Sequence, residues 1–117
     1  MKTILIVEDT DLNIDLLVQL LEDDYQLLIA KDGAEGVSVA QQNNPDLILM
    51  DISLPFLDGY EATRQIRTTM PSTPIIGLSA HAMQGDEARA KEAGCTDYLT
   101  KPVDEDLLIR KLQQYLG

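Results

Sequence analysis

The sequence is short of basic residues, of cysteine and of long apolar runs, and each shortage removes a class of function. Nine Lys and Arg stand against twenty Asp and Glu, a formal net charge of −11. Phosphate backbones and anionic bilayers would repel such a chain as a whole, which argues against direct nucleic-acid binding. The one cysteine, Cys95, permits no internal disulfide and reads as a packed thiol. Met1-Lys2-Thr3 leads into a short apolar run with neither a signal-like h-region nor a cleavage site. No run approaches the roughly 18 apolar residues needed to span a bilayer. The expectation is a cytoplasmic protein with no membrane insertion. Linkers, repeats and low-complexity tracts are also missing, since the connections at Asn43-Asn44-Pro45-Asp46, Pro71 to Pro74 and Ala93-Gly94 are short.

What remains is an ordinary globular composition, 44% apolar and 25% charged over 117 residues, enough for one domain spanning 1–117. Five apolar runs of strand length recur: Thr3 to Val7, Tyr25 to Ala30, Leu47 to Met50, Ile75 to Leu78 and the weaker Asp97 to Thr100. The first and third are continuously apolar, as strands covered on both faces must be. Helical segments alternate with them. The first carries Ile14, Leu17, Val18 and Leu21 on one face and Asp15, Gln19 and Glu22 on the other. Asp32 with Glu35, and Asp58 with Glu61, have the spacing of a capping box, and the last helix starts near Asp104. The fourth, about Gln84 to Ala93, has almost no large apolar residue, so it should bury little surface and be the most mobile. Five βα units predict an α/β fold, a (βα)5 doubly wound five-stranded parallel sheet.

Ligands of such sheets bind beyond the carboxyl ends of the strands, where the strand order reverses. Strand one ends in Glu8-Asp9, strand three in Asp51, strand four in Ser79, and strand five runs into Lys101. Three carboxylates crowded together need a proton or a cation. Oxygen ligands without His or Cys favour Mg²⁺, which usually binds through one or two carboxylates and a phosphate. Lys101 and Ser79 suit a phosphoryl group, and a carboxylate can itself be the nucleophile that accepts one. Asp51, fixed at the end of the most apolar strand, is the candidate acceptor, with Glu8 and Asp9 holding the metal. Taken singly, an acidic doublet in an acidic protein is a solvated turn, and a lone Ser or Lys says less. Their joint placement on one edge carries the argument.

The segments Ile6-Val7-Glu8-Asp9, Asp46 to Pro55 with Asp58-Gly59 following, Leu78-Ser79-Ala80 and Tyr98 to Pro102 resemble those of response-regulator receiver domains, and the likeness runs from about Thr3 to Leu116. The resemblance implies a flavodoxin-like fold of strand order 2-1-3-4-5. It implies that Asp51 accepts phosphate from a sensor histidine kinase or a histidine phosphotransfer protein. Asp9, Asp51 and the Ser53 backbone carbonyl would ligate Mg²⁺, with Mn²⁺ as an alternative ion and Glu8 acting through water. Lys101 would pair with the phosphoryl oxygens, Ser79 would move towards them, and Tyr98 would turn inward as the switch aromatic. A cis Lys101–Pro102 peptide would aim the ammonium at the site. The resemblance also puts Ser53 and His81 at positions that would tune dephosphorylation. The phosphate's negative charge would shift a two-state domain through the fourth helix, fifth strand and fifth helix. With no DNA-binding module after Gly117, the signal is expected to pass by protein contact, either within a larger parent chain or as a stand-alone shuttle, to a downstream protein or through a phosphorylation-dependent homodimer.

Two other classes remain at this stage. A metal-dependent phosphatase with an aspartyl-phosphate intermediate is disfavoured because Ser53, two residues beyond Asp51, stands where a second Asp would be needed as the acid, and because short loops leave no substrate cap. A phosphorylation-independent interaction module stays open, whereas a flavin binder of the same topology is disfavoured because Glu8-Asp9-Thr10-Asp11 is anionic and glycine-free, a poor cradle for a nucleotide phosphate.

Overall fold

The computed structural model describes residues 1–52, 54, 57–79 and 86–117. Along the chain run β1 (Thr3–Val7), α1 (Asp11–Leu21), β2 (Gln26–Ala30), α2 (Gly33–Asn43), β3 (Leu47–Asp51), α3 (Gly59–Arg67), β4 (Ile75–Ser79), α4 (Asp86–Ala93), β5 (Asp97–Thr100) and α5 (Glu105–Leu116). The strands form one sheet in the order β2-β1-β3-β4-β5, with every pairing parallel. The alternation of elements predicts the doubly wound parallel sheet, and the resemblance implies its flavodoxin-like strand order; the structure shows both. The helix that Gln84 was expected to open is described only from Asp86, and residues 80–85 lie outside the described residues.

Continuous apolarity in β1 and β3 follows from burial on both faces. Leu5, Val7, Ile48 and Met50 point into a core with Ala40, Ala62 and Ile66, on the side of α2 and α3. The alternate residues Ile4, Ile6, Leu47 and Leu49 point into a second core with Leu17, Leu21, Leu108 and Leu112, on the side of α1 and α5. Each buried Leu or Ile contributes about 1.5–3 kcal/mol, so these two strands form the rigid centre of the domain.

The helices start where their acids suggest. Asp32, Asp58 and Asp104 each accept a hydrogen bond from the backbone N–H three residues on, at 2.8, 2.9 and 3.1 Å. The return arm of the capping boxes is absent, because Glu35 instead accepts from the Lys31 N–H and Glu61 pairs with Arg64. α4 is anchored chiefly by Ala90 and Ala93, with the Arg89 guanidinium 4.5 Å above the Tyr60 ring of α3. Beyond it Gly94 takes a φ of 118°, a backbone region that favours glycine. Arg67 ties this end of the sheet together by donating to the carbonyls of Gly94, Met70 and Thr73 and to the Thr96 hydroxyl.

Registration of the strand ends positions the site. Val7 lies beside Met50, Asp51 beside Leu78, and Ser79 beside Thr100. Hence Glu8, Asp51, Ser79 and Lys101 emerge along one edge, and the order reverses between β1 and β3 in its middle. Gly59 lets α3 begin against that edge. Its N–H donates to Ile52 O, and a Cβ there would collide with the Asp51 carbonyl oxygen.

Candidate functional site

Glu8 follows β1 and is fully buried, whereas its neighbour Asp9 is exposed. Asp51 ends β3 at 3% exposure and Ser79 ends β4 at 2%. One carboxylate oxygen from each of Glu8, Asp9 and Asp51 lies within 4.8 Å of the others. The three acids expected to share a site therefore do so, two within the protein and one facing solvent.

Lys101 reaches this cluster from the end of β5. Its ammonium donates to Glu8 Oε2 at 2.8 Å and lies 3.4 Å from Asp51 Oδ2. Its own backbone N–H donates to the Ser79 carbonyl at 2.7 Å, which joins the ends of β4 and β5. The Lys101–Pro102 peptide is cis, as the resemblance implies. Glu8 Oε1 accepts from the Asn13 amide at 2.9 Å, so each Glu8 oxygen has a donor. Burial pushes the Glu8 carboxyl up, but the bonds from Lys101 and Asn13, the Lys101 charge and a contact with Asp51 outweigh it. The group stands below the usual carboxylate range.

Three carboxylates beside one ammonium leave an excess of negative charge in a largely buried site. All the donors are hard oxygens, and the exposed Asp9 leaves one side open to water. This donor set fits a Mg²⁺-sized ion, which keeps several waters while binding through few carboxylates.

Tyr98 of β5 is half-buried against the core on the α2–α3 side. Cys95 is a buried free thiol 3.9 Å from the Thr63 hydroxyl, and burial pushes it up from its ordinary value. Ser53 and His81 lie outside the described residues.

Two features escaped sequence reasoning. Asn13 is not among the residues the sequence singles out, yet its amide donates to Glu8. The polar face of α1 also carries Leu12 and Leu16, 67% and 57% exposed. A pocket of about 140 Å³ runs from Glu8, Asn13 and Lys101 along Leu16, Leu17, Leu20, Pro102 and Val103. The periodicity that marked the buried stripe of α1 gave no reason to assign a role to leucines outside it.

Fold and site place the chain among doubly wound α/β proteins that use the carboxyl edge of the sheet at its switch point. The response regulator receiver domain family matches residues 4–113, and the chain belongs to that family, whose members act in two-component signalling. The polar-differentiation response regulator DivK of Brucella ovis is 38% identical over 119 aligned residues, covering 99% of this chain and 97% of that protein. A crystal structure of the receiver domain of the sensor histidine kinase PA1611 from Pseudomonas aeruginosa, with magnesium in its active-site cleft, superimposes with a TM-score of 0.92 at 41% identity, covering 99% and 98% of the two chains. The Saccharomyces cerevisiae Ssk1 receiver domain, crystallised with the histidine phosphotransfer protein Ypd1, gives a TM-score of 0.91 at 34% identity, covering 97% and 88%. Among the described residues no helix is long and apolar enough to cross a membrane.

Proposed function

We propose that residues 1–117 act as one phosphoacceptor unit in which Asp51 takes a phosphoryl group from a phosphohistidine on a kinase or phosphotransfer protein. The observation that carries this reading is the shared ammonium of Lys101, which reaches both buried carboxylates beside the exposed Asp9. In the transfer an Asp51 carboxylate oxygen forms a bond to phosphorus as the phosphorus–nitrogen bond of the donor breaks, giving an acyl phosphate and a free imidazole. Asp9 and Asp51 would hold Mg²⁺ or Mn²⁺ directly, with the Ser53 carbonyl completing the protein's share and Glu8 acting through water. The ion, when bound, offsets the charge of the carboxylates and of the incoming phosphoryl oxygens.

Lys101 stands close enough to Asp51 to exchange its bond with Glu8 for one with a phosphoryl oxygen, and the Ser79 hydroxyl at the end of the adjacent strand supplies a second donor. Tyr98 sits on the next strand, so movement at Ser79 would reach α4, β5 and α5, the face proposed to contact a downstream protein or a second copy. Ser53 and His81 are proposed to tune how long the phosphoryl group persists. The exposed Leu16 lines the same pocket as Lys101 and, with Leu12 exposed on the same helix, offers a phosphohistidine-bearing partner apolar surface to cover.

Incubation with a small acyl-phosphate donor and Mg²⁺, followed by mass measurement, tests this reading. A single phosphoryl adduct on the wild type and none on Asp51→Asn is expected. No wild-type adduct, or an equal one on the variant, would overturn it.

A further inference from the structure

We infer that Asn13 is a positioning residue for the metal site, holding Glu8 in place independently of Lys101. The inference rests on the reading of Glu8, Asp9 and Asp51 as a divalent-cation site and extends it to a side chain outside that cluster.

Glu8 is fully buried, and its two oxygens are divided between two parts of the fold. Oε2 accepts from Lys101 at 2.8 Å, and Oε1 accepts from the Asn13 amide at 2.9 Å. These partners are not equivalent. Lys101 also lies 3.4 Å from Asp51 Oδ2, so one ammonium serves two carboxylates and is the group a phosphoryl oxygen on Asp51 would attract. Asn13 has no such competing demand. It is the third residue of α1, whose first turn is fixed to the loop by the Ile14 N–H donating to the Thr10 carbonyl at 3.0 Å.

When Lys101 turns to the phosphoryl group, Asn13 still holds Oε1, so the carboxylate keeps its rotamer and its place in the cluster with Asp9 and Asp51. Without the amide, a buried carboxylate would depend on one mobile lysine for both charge and direction. The neutral amide suits this task because it orients the carboxylate without adding charge, whereas a second cation would compete with the metal. Partners that orient metal ligands typically change affinity about 10–100-fold when removed, and because Glu8 acts through water the effect of Asn13 belongs at the lower end of that range.

The test is a titration of the full chain with Mg²⁺, followed by amide chemical shifts, for wild type, Asn13→Ala, Glu8→Ala and the double variant. Urea unfolding of each metal-free protein identifies any general loss of fold. Asn13→Ala is expected to bind Mg²⁺ about tenfold more weakly while remaining folded, its unfolding midpoint lowered by the loss of one hydrogen bond to a buried carboxylate and only partly offset by alanine's helix propensity. In the Glu8→Ala background the same change is expected to have no further effect. Wild-type affinity in Asn13→Ala, or an equal loss with and without Glu8, would overturn the inference while leaving the metal site standing. A wild type that binds no Mg²⁺ would overturn both.

Discussion

Lys101 donates its ammonium to Glu8 at 2.8 Å, closer than the 3.4 Å that separates it from Asp51. Both acids are nearly inaccessible, with side chains 1% and 4% exposed, so this lysine is their main source of positive charge among the described residues. Removing one member of a buried charge set leaves the others uncompensated, at a cost of about 3–5 kcal/mol. Lys101→Ala should therefore lower stability by about 3 kcal/mol in a chelating buffer. Mg²⁺ should restore much of that loss, because a cation held by the same carboxylates replaces the missing charge. Urea unfolding with and without Mg²⁺ checks this, and a loss indifferent to the ion would contradict it.

Gly59 sets the position of Asp51 from the opposite side. A methyl group there would meet the Asp51 carbonyl oxygen and Ile52 Cα, both backbone atoms that cannot rotate away. Overpacking of this kind typically costs about 1–3 kcal/mol. Gly59→Ala is expected to destabilise the fold by about 2 kcal/mol and to slow acyl-phosphate labelling of Asp51 as the end of β3 moves. Unfolding midpoints and labelling rates measured at a temperature where the variant is fully folded would separate the two effects. Unchanged labelling would show that the close approach serves packing alone.

The legible parts of this chain were those governed by short-range rules. β1 and β3 announced themselves because burial on both faces demands unbroken apolar runs, and Asp32, Asp58 and Asp104 because a capping carboxylate meets an N–H three residues on. The shared edge of Glu8, Asp51, Ser79 and Lys101 followed from parallel topology, which places every strand's carboxyl end on one side. Asn13 was not legible in the same way. An asparagine in a first helical turn ordinarily bonds its own backbone, and only the path of the chain from Glu8 into α1 brings its amide to that carboxylate. Arg67 was missed for a similar reason, since its acceptors are three carbonyls on two different loops, and carbonyls leave no mark in a sequence.

Asp97 provides a pH dependence away from the site. Burial pushes its carboxyl up, but bonds from Lys111, the Tyr98 N–H and the Tyr115 hydroxyl outweigh this and hold it below the ordinary range. A depressed folded value contributes stability that is present above the unfolded value of about 3.9 and is lost as pH falls through the lowered one. The wild type should thus exceed Asp97→Asn by about 0.5–1 kcal/mol near neutrality, the size of a solvent-screened pair. The difference should vanish in strong acid and shrink in high salt. Urea midpoints against pH for both proteins test the sign, and a gap that widens on acidification would contradict it.

Leu16 separates partner recognition from phosphoryl chemistry. The residue is 57% exposed on α1 yet lines the pocket that also takes in Lys101. A small acyl phosphate can reach Asp51 without touching it. A phosphohistidine is carried by a protein, whose surface must cover the rim of the site for the imidazole to approach. An apolar side chain desolvated in that contact contributes more than about 1 kcal/mol, close to a factor of ten in binding. Leu16→Ser should therefore raise the concentration of phosphotransfer protein needed for half-maximal transfer about tenfold. Labelling by the small donor should stay unchanged, because no group at Asp51, Glu8 or Lys101 has been altered. Parallel kinetics with the two donors would decide the matter, and equal losses with both would move Leu16 from the docking surface to the support of the site.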